Sequence, residues 1–270
     1  MSVVLITGCR SGIGLATAVA FGRRGDRVYA TMRDPTQGER LREIIEQESL
    51  PIAIEGLDVT DEHQIERIVA TIVSTEGRID VLVNNAGVPG VAAAIEEIDE
   101  SVARGTFETN FWGPFRLIRA VLPHMRGEGR GVIVNLSSFA ARFPGSGALA
   151  IYALTKHLVS LLSESLQDEL TSTGVRVVAI EPGFFATEIY DGSKGPTIDP
   201  TSPYAAMVMA TDAAVAEGIA AGGDPSMVAA AIVAAVDDPS SPTRVLVGED
   251  AVAAVNSFRQ AEWEAWVTAT

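Results

Sequence analysis

The stretch "VVLITGCRSGIG", residues 3–14, opens as a short apolar, β-branched run and breaks into a turn holding Gly8, Gly12 and Gly14. β-branched residues suit a pleated strand, and the residues from about Gly12 to Arg24 repeat with a helical period. A strand that ends in glycines at the start of a helix gathers backbone N–H donors and the positive end of the helix dipole at one point. Without side chains there, the backbone can approach a pyrophosphate closely. A glycine-rich turn alone is weak, but strand before and helix after are the context it requires. Gly8, Arg10, Ser11, Gly12, Ile13 and Gly14 are therefore expected to hold a dinucleotide.

Outward from that turn, short apolar runs alternate with helical segments. The expected strands after the first are 27–32, 52–58, 79–85, 131–138, 175–182 and 244–248; the expected helices between them cover about 36–48, 61–76, 99–126 and 150–171. Strict alternation implies right-handed crossovers and a parallel sheet covered on both faces. The runs "VVLI", "VLV" and "VIV" are apolar throughout, as doubly covered strands should be. The reading is one doubly wound α/β domain over 1–270, with a mainly parallel seven-stranded sheet and helices on both faces. Residues 184–223, with Pro196, Pro200, Pro203 and several glycines around an Ala/Met-rich patch, depart from the alternation. They are expected to form an excursion with one or two helices, serving either as a substrate-binding lid or as a plain surface insertion.

Acidic residues exceed basic ones by 15, a balance that repels polyanions and argues against nucleic-acid binding. No apolar run reaches the roughly 18 residues a membrane span needs, and no signal-like segment opens the chain. Cys9 is the single cysteine, which excludes an internal disulfide and agrees with a reducing compartment, so a cytoplasmic location is expected. His63, His124 and His157 are scattered without zinc-type spacing, and no metal is expected.

The other strand ends carry polar or turn residues: Asp58 with Val59, "NNAG" at 84–87, Ser137 and Ser138, and "EPG" at 181–183. Any one could be ordinary capping; on one edge of one sheet they would line a single crevice. On the fourth long helix, Phe111, Phe115, Ile118, Leu122 and Met125 form an apolar stripe read as core. Pro114 lies four residues after Asn110 and removes the usual helical partner of the Asn110 carbonyl, which leaves either a water-holding acceptor or a simple kink. Finally, "IYALTKHL", residues 151–158, sets Tyr152 and Lys156 four apart, on one face of a helix. A tyrosine with its ordinary pKa of about 10 is a poor base at neutral pH, and a neighbouring ammonium favours its phenolate.

Assembled, these residues resemble the short-chain dehydrogenase/reductase family, with the match running from residue 3 to about 188. The resemblance rests on "TGCRSGIG" for TGxxxGxG, "NNAG", Asn110, the serine pair after the fifth strand, "YALTK" for YxxxK and "PGFFAT" for PGxxxT. The N-terminal third looks most like the steroid 17-beta-dehydrogenase (estradiol) type, a likeness that fades where substrate pockets are built. The resemblance implies a Rossmann-type domain and hydride transfer between a nicotinamide cofactor and a carbonyl or alcohol carbon. It implies Tyr152 as general acid/base, Lys156 as its electrostatic partner and ribose ligand, Ser138 as the hydroxyl holding the substrate oxygen, and Asn110 as support for a relay water. It also extends the cofactor contacts to Asp58, Val59, Asn85, Ala86, Gly87, Pro182, Gly183, Phe185 and Thr187. One departure is the Ser138–Tyr152 interval, one residue longer than the family's usual spacing, with the extra residue expected in the loop before Tyr152.

NAD users in this family commonly carry an acid at the end of the second strand, where this chain has Met32 followed by Arg33. A guanidinium can pair bidentately with a 2'-phosphate, so NADP(H) is favoured; Asp34 would favour NAD(H) if the strand ended one residue later. Phe139, Phe143, Phe184, Phe185, Met207 and Met209 suggest an apolar pocket for a small-molecule ketone, aldehyde or alcohol. The C-terminal segment with Phe258 and Trp266 reads as a helix that closes the pocket or packs on a second subunit. Family members associate through the helices here near 99–126 and 150–171, implying a homodimer or homotetramer. Two other readings, a dinucleotide-sensing binding protein and a sugar-nucleotide epimerase, are disfavoured by the presence of Ser138, Tyr152 and Lys156 and by the GxxxGxG spacing.

Overall fold

The computed structural model describes residues 1–143, 147–190 and 199–269. The first half runs β1 (Val3–Ile6), α1 (Gly12–Arg23), β2 (Arg27–Met32), α2 (Glu39–Glu48), β3 (Ile52–Gly56), α3 (Glu62–Glu76) and β4 (Val81–Asn84). It continues through α4 (Glu100–Phe107), α5 (Gly113–Gly127), β5 (Gly131–Leu136), α6 (Ala150–Glu169) and β6 (Val175–Pro182). The chain ends in α7 (Ala205–Ala220), α8 (Pro225–Asp237), β7 (Arg244–Val247) and α9 (Glu249–Ala269). The seven strands form one sheet in the order β3-β2-β1-β4-β5-β6-β7, and every ladder in it is parallel. The expected doubly wound α/β sheet is present, with no antiparallel strand.

Alternate residues of each strand serve opposite cores. Val4 and Ile6 of β1 pack with Phe21, Val178 and Ile232 on the face covered by α1 and α8. Val3 and Leu5 pack with Ile72, Leu117, Ile133 and Leu166 on the face covered by α3, α5 and α6. Both faces of each strand are thus apolar, which is why the strands read as unbroken runs. Helix boundaries follow local chemistry: Asp61 caps α3 by accepting the Gln64 N–H at 3.1 Å, and Gly77, at φ 77°, ends it.

Two expected helices are divided. The segment near 36–48 is a 3-10 turn (Pro35–Gln37) followed by α2, because Asp34 caps that turn and Gly38 separates the two. The segment near 99–126 is α4, a π-turn over Glu108–Trp112, and α5; within it the Gly113 N–H bonds the Glu108 carbonyl five residues back. Pro114 without an N–H lies just beyond, so the irregularity is a widened turn and not a kink at Gly113-Pro114. The expected apolar stripe also splits. Ile118 and Met125 are buried, whereas Phe111 and Phe115 pack with exposed Trp112 in an outward aromatic cluster.

The sheet order reverses between β1 and β4, and at that point the carboxyl ends of the strands open a crevice. Of the 184–223 excursion, an isolated parallel bridge between Phe185 and Gly223, a short turn at Glu188–Tyr190 and α7 are seen. Gly192, Gly195 and Pro196, part of the loop assigned the extra residue before Tyr152, and the Trp266 side chain lie outside the described residues. Among the described residues no helix is long and apolar enough to cross a membrane.

Candidate active site

The crevice is a cleft of about 1060 Å³ running across the carboxyl ends of the central strands. At its base the turn after β1 and the end of β4 are laced into one body. Thr7 Oγ1 accepts the Asn85 N–H at 3.0 Å and the Ala86 N–H at 2.9 Å. In return Asn85 Nδ2 donates to the Thr7 carbonyl at 2.8 Å and the Gly8 carbonyl at 3.0 Å. This closeness explains the glycines: a Cβ on Gly14 would stand 2.2 Å from the Gly8 carbonyl oxygen, and one on Gly8, at φ 73°, 2.8 Å from Ala86 Cα.

At the start of α1, the Ser11 side chain makes no cap bond and the first turn holds no acid. Among the described residues no side chain caps its N–H groups, and Ser11, Gly12, Ile13 and Gly14 line the cleft beside Gly8 and Arg10. Uncapped amides at a helix N-terminus next to an arginine suit a pyrophosphate. The backbone closeness, the free amides and the room of the cleft all fit a dinucleotide.

At one end of the cleft, Arg33 is largely exposed and its Nε stands 3.5 Å from Asp58 Oδ2. β2 ends at Met32, which is buried. Asp34 is committed to its own turn: Oδ1 accepts the Thr36 N–H at 3.0 Å and the Thr36 hydroxyl at 2.7 Å, and Oδ2 accepts Gln37 Nε2 at 3.2 Å. These bonds, the hydroxyl's first, hold the Asp34 carboxyl below the usual range.

Ser138, Tyr152 and Lys156 meet at the centre of the cleft. Ser138 follows β5 and starts a 3-10 turn (Phe139–Arg142); its Oγ accepts the Ala140 N–H at 3.2 Å, leaving its own proton to give. Burial pushes the Tyr152 phenol above its ordinary pKa, while the hydrogen bond with Ser138 acts in the opposite direction. Lys156 is 6% exposed, and burial lowers it from 10.5 to about 8. Its Nζ donates to the Leu136 carbonyl at 2.8 Å and stands 5.7 Å from the centre of the Tyr152 ring.

The structure brings Asp58, Val59, Asn85, Ala86 and Gly87 to the cleft wall, and likewise Pro182, Gly183, Phe185 and Thr187. Asn110 is not on that wall. Its side chain lies behind, with Oδ1 accepting the Val88 N–H and Nδ2 donating to the Val88 carbonyl and to Thr155 Oγ1. Two of the strand-end polar residues, Asn84 and Glu181, are buried away from the cleft as well, because their side chains point into the layer beneath α6.

The far end of the cleft is apolar. Phe139, Phe143, Phe184 and Phe185 line it, and edge-to-face contacts run Phe184–Phe139–Phe143–Phe258 at 5.3 to 5.8 Å. Met207 and Met209 do not belong to it, since both lie on the exposed side of α7, 38% and 58% exposed. Their place is taken by Val215 and Ile219, about two and three turns further along. Sequence reasoning also missed Val88–Val91 and Thr106 on the opposite wall; the "VPGV" run directly after "NNAG" was the available signal. Among the described residues, no group of three or more His, Cys, Asp or Glu is placed to hold a metal ion.

Residues 2–195 match the family model described as short chain dehydrogenase. Oxidoreductase BOA17 of Botryotinia fuckeliana is 36% identical over 253 residues, 92% of this chain and 89% of that protein. A crystal structure of a short-chain dehydrogenase from Streptomyces avermitilis superposes with a TM-score of 0.85 at 36% identity, covering 100% of this chain and 98% of that one. A metagenomic short-chain oxidoreductase solved in complex with NADP aligns with a TM-score of 0.72 at 26% identity, over 91% and 96% of the two chains. With a family model matching well over half of the chain and the seven-stranded parallel sheet in agreement, this chain belongs to the short-chain dehydrogenases, oxidoreductases that act on the CH–OH group of their donors.

Proposed function

We propose that this chain interconverts an apolar ketone or aldehyde with the corresponding alcohol, with Tyr152 as general acid/base. The carrying observation is the cluster of Ser138, Tyr152 and Lys156 on one wall, with Ser138 bonded to Tyr152 and Lys156 beside its ring. In reduction, negative charge grows on the substrate oxygen, and the Ser138 and Tyr152 hydroxyls both donate to it. Tyr152 then releases its proton to that oxygen; in oxidation it takes one back. Lys156 holds the ribose and, as an ammonium, favours the phenolate. The nicotinamide dinucleotide, when bound, supplies or takes up the hydride.

Gly8, Arg10 and Ser11–Gly14 would hold the pyrophosphate, Asp58 and Val59 the adenine end, and Asn85–Gly87, Pro182, Gly183, Phe185 and Thr187 the nicotinamide end. NADP(H) is the preferred form. Arg33, largely exposed and paired among the described residues only with Asp58 at 3.5 Å, can turn to a 2'-phosphate, and Asp34, the rival for a ribose hydroxyl, is occupied by Thr36 and Gln37. Asn110 acts through the loop it holds at Val88, beside a relay water.

An apolar substrate is supported by the four lining phenylalanines and by the placement of the lining cations: Arg10 and Arg33 stand at the dinucleotide end and Lys156 at the centre. The likeness of the N-terminal third to steroid 17-beta-dehydrogenases agrees with that polarity without naming a substrate. The chain acts as one domain, with α7, the helix of the 184–223 excursion, as a lid: its Gly218 lies against the Phe184 ring, and Thr211 Oγ1 accepts the Ala148 N–H at 3.3 Å. Exposed Trp112, Leu154 and Leu161 on the helices around 100–169 support a homodimer or homotetramer. The free, buried Cys9 supports a cytoplasmic setting.

The test is a screen of aryl and alicyclic ketones and their alcohols by NADPH absorbance, with Tyr152→Phe in parallel. Turnover with at least one apolar ketone, lowered roughly 10²- to 10⁴-fold in Tyr152→Phe, is expected. Turnover at the wild-type rate in that variant would overturn the mechanism.

A further inference from the structure

Glu181 precedes the Pro182-Gly183 pair of the cleft but faces the other way, wholly buried between β6 and α6. Two guanidiniums grip it: Arg142 Nε reaches Oε2 at 2.6 Å, and Arg244, from the start of β7, reaches Oε1 through Nε at 2.7 Å. Arg244 also donates to the Ala141 carbonyl at 3.2 Å, so both arginines tie the carboxylate to the turn that follows Ser138. On its other side, Oε1 accepts the Ser160 hydroxyl of α6 at 2.8 Å. Ser160 stands 2.8 Å from Ser137 Oγ, and Ser137 donates to the backbone carbonyl of Lys156 at 2.9 Å. The Lys156 side chain in turn donates to Leu136, the residue before Ser137.

A buried carboxylate is expensive to desolvate and earns its place only with a full set of partners. Here Arg142 and Ser160 belong to elements that carry a reacting group or shape the cleft, and Arg244, from β7, braces the first of these through the Ala141 carbonyl. The serines have two protons between them for three contacts: Ser160 to Glu181, Ser160 to Ser137, and Ser137 to Lys156. Which bonds form therefore depends on what Glu181 accepts.

We propose that Glu181 is a positioning residue for Lys156, fixing through Ser160 and Ser137 the turn of α6 from which that lysine reaches the cleft. The proposal rests on the reading of Lys156 as a ligand of the dinucleotide. Loss of the Glu181 charge leaves Arg142 and Arg244 without their shared partner and releases Ser160 to bond Ser137 differently. The Lys156 turn then loses its fixed relation to the end of β5. Exposed Glu164, which touches only the outer nitrogen of Arg244 at 3.4 Å, has no such reach.

The experiment is a mutant cycle read by NADPH binding, followed by fluorescence of the full-length protein, which needs no carbonyl substrate. Glu181→Gln and Ser160→Ala are each made alone and with Lys156→Met; Glu164→Gln is the control. Expected is a rise in NADPH Kd of at least 5-fold for Glu181→Gln and at least 3-fold for Ser160→Ala. In the Lys156→Met background either change should add less than 2-fold, and Glu164→Gln should stay within 2-fold of wild type. An equal loss in both backgrounds, or none in either, overturns the proposal. If Lys156→Met alone leaves NADPH binding unchanged, the reading of Lys156 as a dinucleotide ligand fails first, and the positioning role with it. Should Glu181→Gln not fold, Ser160→Ala, which removes one hydroxyl and leaves the ion pairs in place, decides by the same criteria.

Discussion

Asn110 spends its side-chain amide on one residue's backbone: Oδ1 accepts the Val88 N–H at 2.8 Å and Nδ2 donates to the Val88 carbonyl at 2.9 Å. The clamp ties the π-turn to the first residue of the 88–91 loop, which lines the cleft. Nδ2 also reaches Thr155 Oγ1, whose hydroxyl donates to the Tyr152 carbonyl at 2.7 Å. Asn110→Ala removes both Val88 bonds and leaves part-buried groups unpaired, so a loss of about 2–3 kcal/mol in unfolding free energy is expected. Urea denaturation measures it; a loss below about 0.5 kcal/mol would mean that the loop is held by other contacts.

Lys156 should destabilise the fold at neutral pH. Its pKa is lowered from 10.5 to about 8 by burial, so between those values the unfolded chain binds the proton that the folded chain has released. Stability therefore rises with pH across that window, and at pH 7 the buried ammonium opposes folding by roughly 3 kcal/mol. Lys156→Met should melt above wild type at pH 7, and the gap should narrow as pH climbs from about 8 toward 10.5. A gap independent of pH would show that the charge is already compensated, while the same variant should lose turnover.

Arg33 is expected to set the cofactor preference. A hydrogen bond to a charged group contributes about 1.5–3 kcal/mol, so Arg33→Ala should lower kcat/KM for NADPH roughly 10- to 100-fold and leave NADH within about 2-fold. An unchanged ratio between the two would remove Arg33 from the phosphate site. Asp34→Ala, by contrast, should leave the ratio nearly unchanged and loosen the 35–37 turn, since Asp34 is spent on Thr36 and Gln37.

Two glycines separate the two ends of the cleft. A Cβ at Gly14 would meet the Gly8 carbonyl oxygen at 2.2 Å and Asn85 Nδ2 at 2.4 Å, both in the laced base, so Gly14→Ala should abolish dinucleotide binding. A Cβ at Gly218 would meet the Phe184 ring at 2.7 Å, so Gly218→Ala should push α7 off the apolar end. The expected result is a KM for the carbonyl substrate raised about 5-fold or more, with NADPH affinity within about 2-fold. Equal damage to both parameters would mean that α7 also supports the dinucleotide end.

The sheet was legible because its physics is local. Every strand announced itself as a β-branched run, and each polar strand end marked the edge where the cleft opens. Tyr152 and Lys156 were legible as neighbours on one helix face through their spacing of four, and the glycine turn through its place between strand and helix, whereas Ser138 joined the pair only through the family resemblance. What stayed hidden depended on pairings across long sequence distances. Nothing near Asn110 indicates that its side chain faces Val88, 22 residues away, and nothing near Glu181 indicates Arg142 or Arg244, 39 and 63 residues away. The outward turn of Met207 and Met209 was hidden for another reason: α7 is apolar on nearly all sides, so periodicity does not choose a face.

Lys156 is one of only two lysines in the chain, the other being Lys194, set against eighteen arginines. Guanidiniums do not react with amine-directed reagents under conditions that modify lysine, and an amine titrating near pH 8 is nucleophilic where ordinary lysines are still protonated. A reagent small enough to enter the cleft should therefore acylate Lys156 at mildly alkaline pH, and a bound dinucleotide should shield it. Peptide mass after such labelling would count the competent centres in a preparation directly, without knowing what the enzyme turns over.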